Sequence, residues 1–294
     1  MTATLIDGNQ VAETIRAEVR RQTTALAAEG RRLKLAALLV GEPAASLVYA
    51  RSQEKQCQAM GIDYLLSRLP ADCDASCVAD RIQDFNQDPG ITGIMLHLPL
   101  PTWIDVHDMQ YRIDPYKDVE GVNPANIGLV FYGQPIIAPC TALAVVELVQ
   151  TLNMPLRGIH AVVVGQGAIV GRPISVLLAQ KDATVTACNE HTPDLAEYTR
   201  RADLLVVAAG KAGLITVDHV KPGAMVIDVG INRVKGSDIN GNEVSRTVGD
   251  VDFRAVREVA GAITPVPGGV GPVTVAMLMR NTVEAARKQA IRKP

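Results

Sequence analysis

No cysteine in this chain falls into a Cys-x-x-Cys pair, and none joins a histidine at zinc spacing. The five cysteines (Cys57, Cys73, Cys77, Cys140 and Cys188) are scattered, which argues against a disulfide frame or a metal site and points to reduced thiols. Charge of one sign is lacking too. A net charge of -2 from 29 basic and 31 acidic residues, well interspersed, leaves no basic face for nucleic acid and no acidic tail. No apolar stretch approaches membrane-spanning length, and the opening residues, Met1-Thr2-Ala3-Thr4-Leu5-Ile6-Asp7-Gly8, lack a basic n-region and an apolar h-region. There is no repeat or low-complexity segment. The expectation is a cytoplasmic protein without metal, membrane or nucleic-acid partner.

What is present is material for two cores. A chain of 294 residues with 48% hydrophobic content is long for one domain and comfortable for two. Val11, Ile15 and Val19 recur at helical spacing, and the strand-like run at residues 35–40 follows Gly30. The alternation continues with a helix at 46–60, a strand at 64–69, a helix at 76–86 and a strand at 93–98, the pattern of a parallel α/β domain. A loop-rich stretch at 99–139 reads as a linker between domains, followed by a helix at 141–152. A second series has strands at 161–164, 183–188, 203–208 and 224–229, short and valine-rich as when both sheet faces are covered. This reads as a Rossmann-like domain. A closing helix is expected over about 272–288.

Two loops carry chemistry. After the strand at 161–164 come Gly165, Gln166, Gly167, Ala168, Ile169, Val170, Gly171, Arg172 and Pro173, opening a helix. Such a strand-glycine-helix turn offers unpaired N–H groups and the positive end of a helix dipole to a pyrophosphate, although close helix-strand packing also explains such glycines. The next strand ends at Glu190, where dinucleotide folds read the adenosine ribose. A carboxylate there accepts from both ribose hydroxyls of NAD and repels a 2′-phosphate, so NAD is expected over NADP. In the alternative, Glu190 faces solvent while Arg172 or His191 meets a phosphate. The second loop, residues 263–274, interleaves three prolines and three glycines. Fixed and permissive φ values together make a shaped loop that brings bare backbone close to a flat ligand.

The second loop resembles the signature of the methylenetetrahydrofolate dehydrogenase/cyclohydrolase family, and further segments match in the same order. These are Val40-Gly41-Glu42 with Ser46 and Tyr49, Leu98-Pro99-Leu100-Pro101, Lys117-Asp118-Val119 with Gly121, Pro139-Cys140-Thr141, residues 165–173, and residues 226–232. The resemblance implies an α/β protein of two domains and a homodimer. A parallel α/β folate domain spans 1–138 plus 272–294, because the closing helix returns to it, and a Rossmann-like NAD(P)-binding domain spans 139–271. Tetrahydrofolate is the implied one-carbon carrier. Tyr49, Leu98, Pro99, Glu120, Pro267, Gly268, Gly269, Val270, Pro272 and Thr274 are the implied folate contacts. Thr141, Ile169, Val170 and Ile231 join the glycine loop as cofactor contacts, Ile231 on the nicotinamide side.

Three positions depart from the family's pattern. Four residues after Tyr49, one turn along a helix, the family's lysine is replaced by Gln53, and a neutral amide cannot shuttle a proton near pH 7. Lys55 lies roughly 200° round a helix from that position and is a poor replacement. His97 stands where the family usually has glutamine, and Glu120 where it has aspartate contacting the pterin. His97 could bond Gln53, hold the pterin ring, or replace the lysine as a base.

Tyr49, Gln53, His97 and Glu120 are therefore the candidate catalytic set. Hydride transfer asks the protein chiefly for orientation, so loss of the lysine threatens the cyclohydrolase step most. The sequence reads as an NAD-preferring methylenetetrahydrofolate dehydrogenase with weak or absent cyclohydrolase activity. The alternatives are a bifunctional NADP-dependent dehydrogenase/cyclohydrolase and a folate-binding pseudoenzyme.

Overall fold

Valine-rich runs between glycine-marked turns become strands buried on both faces. The computed structural model describes residues 2–41, 44–152, 154–237 and 243–292; Glu42 of the first matching motif lies outside them. In chain order the elements are β1 (Thr4–Leu5), α1 (Gly8–Ala28), β2 (Leu33–Val40), α2 (Ala44–Ala59), β3 (Ile62–Leu69), α3 (Ala75–Gln87) and β4 (Gly93–Leu96). Then come α4 (Val106–Arg112), α5 (Pro124–Phe131), α6 (Cys140–Thr151), β5 (His160–Val164), α7 (Gly171–Ala179), β6 (Thr184–Cys188), α8 (Leu195–Thr199) and β7 (Leu204–Val207). A 3₁₀ turn at Val217–His219 precedes β8 (Met225–Asp228), β9 (Asn232–Ser237), β10 (Glu243–Val248), α9 (Phe253–Val256), β11 (Ala262–Ile263) and α10 (Val270–Ile291).

The chain divides into two units, Met1–Glu13 with Thr141–Val275, and Thr14–Cys140 with Ala276–Pro294. The first holds a six-stranded sheet in the order β1-β11-β8-β7-β5-β6, parallel throughout. Its core gathers Val162, Val164, Leu205, Val207, Val226 and Ile263, all nearly inaccessible. Burying each such side chain contributes on the order of 1.5–3 kcal/mol. The second unit holds a three-stranded parallel sheet, β3-β2-β4, over a core that includes Leu38, Val78, Ile82, Phe85 and Ile94. Both sheets are the expected parallel α/β arrangement.

Two expectations change. The stretch at 99–139 is no linker: it contains α4 and α5 and belongs wholly to the second unit. Asp105 caps α4 by accepting from His107 N–H, and Asn123 caps α5 by accepting from Ala125 N–H with Pro124 in the first turn. Those short helices are set by caps rather than by periodicity. The opening residues, expected in the folate domain, group with the unit of the six-stranded sheet because Thr4 and Leu5 pair with Ala262 and Ile263. The antiparallel pair β9–β10 was not expected.

Candidate functional site

In the first unit the three loop glycines have separate reasons. Gly165 adopts φ +94°, and a Cβ there would stand 2.1 Å from Ala208 O. A Cβ on Gly171 would stand 1.9 Å from Gly165 O, so this glycine lets α7 approach the loop. At Gly167 a Cβ would meet nothing within 4 Å among the described residues. One glycine makes the turn, one the packing, and the middle one leaves open space at a helix start that no described side chain caps. That combination suits a pyrophosphate, with free N–H groups and a favourable dipole. Ile169 is exposed, Val170 half-buried and Arg172 exposed.

Gly165 N–H bonds to Cys188 O at 2.9 Å, which sets this loop beside the turn after β6. In that turn Asn189 Oδ1 accepts from His191 N–H, and Thr192 Oγ1 accepts from Asn189 N–H. The carboxylate of Glu190 is 85% exposed and has His191 Nε2 at 3.5 Å. Gln166 is turned inward: its amide donates to Val163 O at 3.1 Å and to Ser175 Oγ at 3.4 Å.

The Pro/Gly loop lines a pocket of about 430 Å³ in the same unit, together with Asn9, Val229, Gly230, Ile231 and Thr247. Ile231 is 71% exposed beside it. Gly268 takes φ +106°, and Gly269 could not carry a Cβ, which would fall 2.6 Å from Pro265 O. The loop is braced by the chain's opening turn: Gly8 N–H bonds to Gly268 O at 2.9 Å, and a Cβ on Gly8 would lie 1.8 Å from Gly269 O. Pro267, Val270 and Pro272 line this pocket, while Thr274 bonds its own helix, Oγ1 to Val270 O at 3.2 Å. Thr141, the second residue of α6, is half-buried.

Beneath this pocket lies a pair of acids the sequence did not single out. Asp228 accepts N–H from Gly230, Asp250 and Val251, and Asp250 accepts from Ala209 N–H, Gly210 N–H and Asn232 Nδ2. A Cβ on Gly249 would sit 1.8 Å from Asp228 Oδ2, and one on Gly230 2.3 Å from Asp250 Cγ. The glycines are what allow these carboxylates to seat. Burial pushes Asp228 up to about 6 against the pull of its three N–H donors.

In the second unit the departures from the family pattern converge. Gln53 on α2 is 1% exposed and His97, just past β4, is 2% exposed. They are joined through a residue the sequence reading missed. Tyr64 Oη donates to Gln53 Oε1 at 3.2 Å and lies 3.3 Å from His97 Nε2. Gln53 Nε2 faces Met95 Sδ at 2.7 Å. Tyr49 meets the His97 ring edge-on, centroids 5.8 Å apart at 88°, and is 43% exposed. Burial first, and then the neighbouring acidic groups Glu120 and Cys140, raise its phenol to about 12. Burial lowers His97 and raises Tyr64, so imidazole and phenols are all neutral at pH 7. Lys55 is exposed, as its helical phase requires.

Glu120 is held by a scaffold. Lys117 Nζ donates to Phe85 O and Asp88 O, while Asp118 accepts from Val122 N–H, Asn123 N–H and Asn126 Nδ2. On α10, Asn281 Nδ2 donates to Val119 O at 2.9 Å and to Ala138 O at 3.0 Å. The Lys117-Asp118-Val119 motif is therefore structural, and its product is the placement of Glu120, whose Oε2 takes Leu96 N–H at 3.4 Å. Burial first, and the Asp118 charge second, raise the Glu120 carboxyl to about 8. Leu98 and Pro99 are exposed beside His97. No group of three or more His, Cys, Asp or Glu among the described residues could hold a metal ion, and no described helix is long and apolar enough to cross a membrane.

Two family profiles cover most of the chain: tetrahydrofolate dehydrogenase/cyclohydrolase, catalytic domain, over residues 6–120, and tetrahydrofolate dehydrogenase/cyclohydrolase, NAD(P)-binding domain, over residues 139–290. The bifunctional protein FolD of Cupriavidus necator is 50% identical over 290 residues, 99% of this chain and 100% of the relative. The solved bifunctional FolD of Campylobacter jejuni superposes with a TM-score of 0.91 at 39% identity, covering 98% of this chain and 99% of the other. FolD of Trypanosoma brucei, complexed with NADP and an inhibitor, gives a TM-score of 0.91 at 37% identity, covering 99% and 100%.

Proposed function

The chain belongs to the tetrahydrofolate dehydrogenase/cyclohydrolase family, and from that premise we propose that it carries both of the family's activities. These are the NAD(P)-linked oxidation of 5,10-methylenetetrahydrofolate to the methenyl form and hydrolysis of that product to 10-formyltetrahydrofolate. The observation that carries the first is the open space at Gly167 beside a free helix start. The bound nicotinamide supplies the hydride acceptor; the chain's own residues bind, orient and exclude water. A pure folate binder needs no such nucleotide cradle. The full-length relatives support the bifunctional alternative better than loss of the second activity.

A second reading, a dehydrogenase with weak cyclohydrolase activity, is favoured by Gln53, whose amide sits buried between Tyr64 and Met95 and has no titratable proton. For the nucleotide, exposed Glu190 supports NAD, whereas the Trypanosoma brucei relative was solved with NADP. The resemblance further supports a cytoplasmic homodimer, which light scattering of the purified protein tests.

The deciding experiment pairs two assays. Absorbance of reduced nicotinamide is followed with methylenetetrahydrofolate and either nucleotide, and loss of methenyltetrahydrofolate is followed without nucleotide. Reduced nicotinamide with no hydrolysis above buffer would favour the second reading; neither signal would leave only a folate binder.

A further inference from the structure

We propose that Tyr64 is a positioning residue for the hydrolytic step, fixing the proton of His97 on Nε2 and so leaving Nδ1 as the lone-pair nitrogen that accepts a proton from water. The proposal rests on the bifunctional reading above. Its starting point is the Gln53 amide, whose two ends are told apart by their partners. A thioether is a weak acceptor and never a donor, so the end 2.7 Å from Met95 Sδ is the NH₂ group, and the carbonyl end faces Tyr64 Oη at 3.2 Å. A phenol has one proton. Given to Gln53, it leaves only lone pairs toward His97 Nε2, 3.3 Å away, so that nitrogen must supply the hydrogen. A neutral imidazole carries one N–H, which is then spent.

The groups facing His97 impose no charge that would change this. They are Tyr49 from α2 and Tyr64 from β3, both held neutral well above pH 7; Glu120, whose charge would reach Tyr49, is protonated below about 8. In the reaction, water oxygen bonds to the methenyl carbon as the C=N π pair moves to nitrogen, and Nδ1 takes one water proton. The carbinolamine collapses with cleavage of the C–N5 bond. N5 then receives the imidazolium proton while the hydroxyl proton leaves to solvent, giving 10-formyltetrahydrofolate and one net proton.

The test is two-fold. Long-range ¹H–¹⁵N correlation of His97 in the whole protein reads the tautomer directly: wild type should show Nε2–H, and Gln53→Met, which removes the acceptor of the Tyr64 proton, should shift it toward Nδ1–H. Tyr64→Phe should lower kcat for methenyltetrahydrofolate hydrolysis roughly tenfold, part of what a positioned base contributes, with KM changing less than about threefold, and should move the acid limb of the kcat–pH profile. An Nδ1–H signal in wild type overturns the proposal, as does a Tyr64→Phe protein with unchanged kcat and pH profile. The correlation spectrum needs no turnover. Absence of hydrolysis by wild type therefore overturns the bifunctional reading, and the base assignment with it, separately from the tautomer result.

Discussion

Asp228 accepts the backbone N–H of Asp250 at 3.0 Å, so one buried acid holds the other in place. Asp250 in turn fixes the backbone at Ala209 and Gly210 at 2.7 and 2.8 Å. That segment continues from Ala208, the residue against which Gly165 is pressed. Asp250→Ala would strand three donors, each costing about 1–3 kcal/mol. Thermal melts should show a clear loss of stability, and nucleotide titration a raised Kd. Asp250→Asn should keep much of both, because its amide oxygen can turn toward the two N–H groups.

The glycine loop predicts two variants that part company. Gly171→Ala places a methyl where Gly165 O already sits, so melting temperature and nucleotide affinity should both fall. Gly167→Ala meets no atom within 4 Å among the described residues; it should leave the melt near wild type while raising nucleotide KM, because the methyl enters the space proposed for the pyrophosphate. Equal destabilisation by the two would contradict this division.

The proposed role of Glu190 in reading the nucleotide makes its own prediction. The ratio of kcat/KM for NAD to that for NADP should exceed one, and Glu190→Ser with Gln166→Arg should move it toward NADP. Relief of a like-charge contact and gain of a charge-assisted bond are each worth on the order of 1–3 kcal/mol. The arginine must first displace the inward bond of residue 166 to Val163 O, so the double change should act more weakly than on an open loop. Wild-type preference for NADP would show that the Glu190 carboxylate does not read the ribose.

Glu120 makes stability pH-dependent in a defined direction. Its folded-state pKa is raised to about 8, so the folded chain holds a proton that the unfolded chain has already released. Stability is then fully present below about pH 4.5 and declines as pH rises toward 8, and flattens beyond it. Melting curves from pH 5 to 9 should show that decline in wild type and a shallower one in Glu120→Gln. Identical slopes would place the Glu120 ionisation elsewhere.

Much of the architecture was legible because long-range burial writes itself into composition: short, valine-rich runs such as Ala161-Val162-Val163-Val164, bounded by glycine turns, fit strands covered on both faces. The same applies to the glycine loop, whose turn and helix start are local. What escaped was fixed by single polar caps or by residues far apart in sequence. Asp105 and Asn123 start helices too short for any periodicity. Asp228 and Asp250 meet across 22 residues, and Tyr64 reaches His97 across 33. A tyrosine on a strand reads as β-propensity until its hydroxyl is given partners. The site was therefore half readable, Gln53 and His97 by their departure from the family and their connector not at all.

The two-residue strand β1 has a consequence for dissection. Ala3, Thr4 and Ile6 donate to Arg257 O, Gly261 O and Ile263 O, so the chain's opening segment closes the open side of β11. A fragment of residues 139–275, the unit of the six-stranded sheet without its opening segment, would expose that side as unsatisfied rungs ready to recruit another chain. Such a piece should self-associate, and a synthetic peptide of residues 2–13 added in trans should restore a monodisperse species.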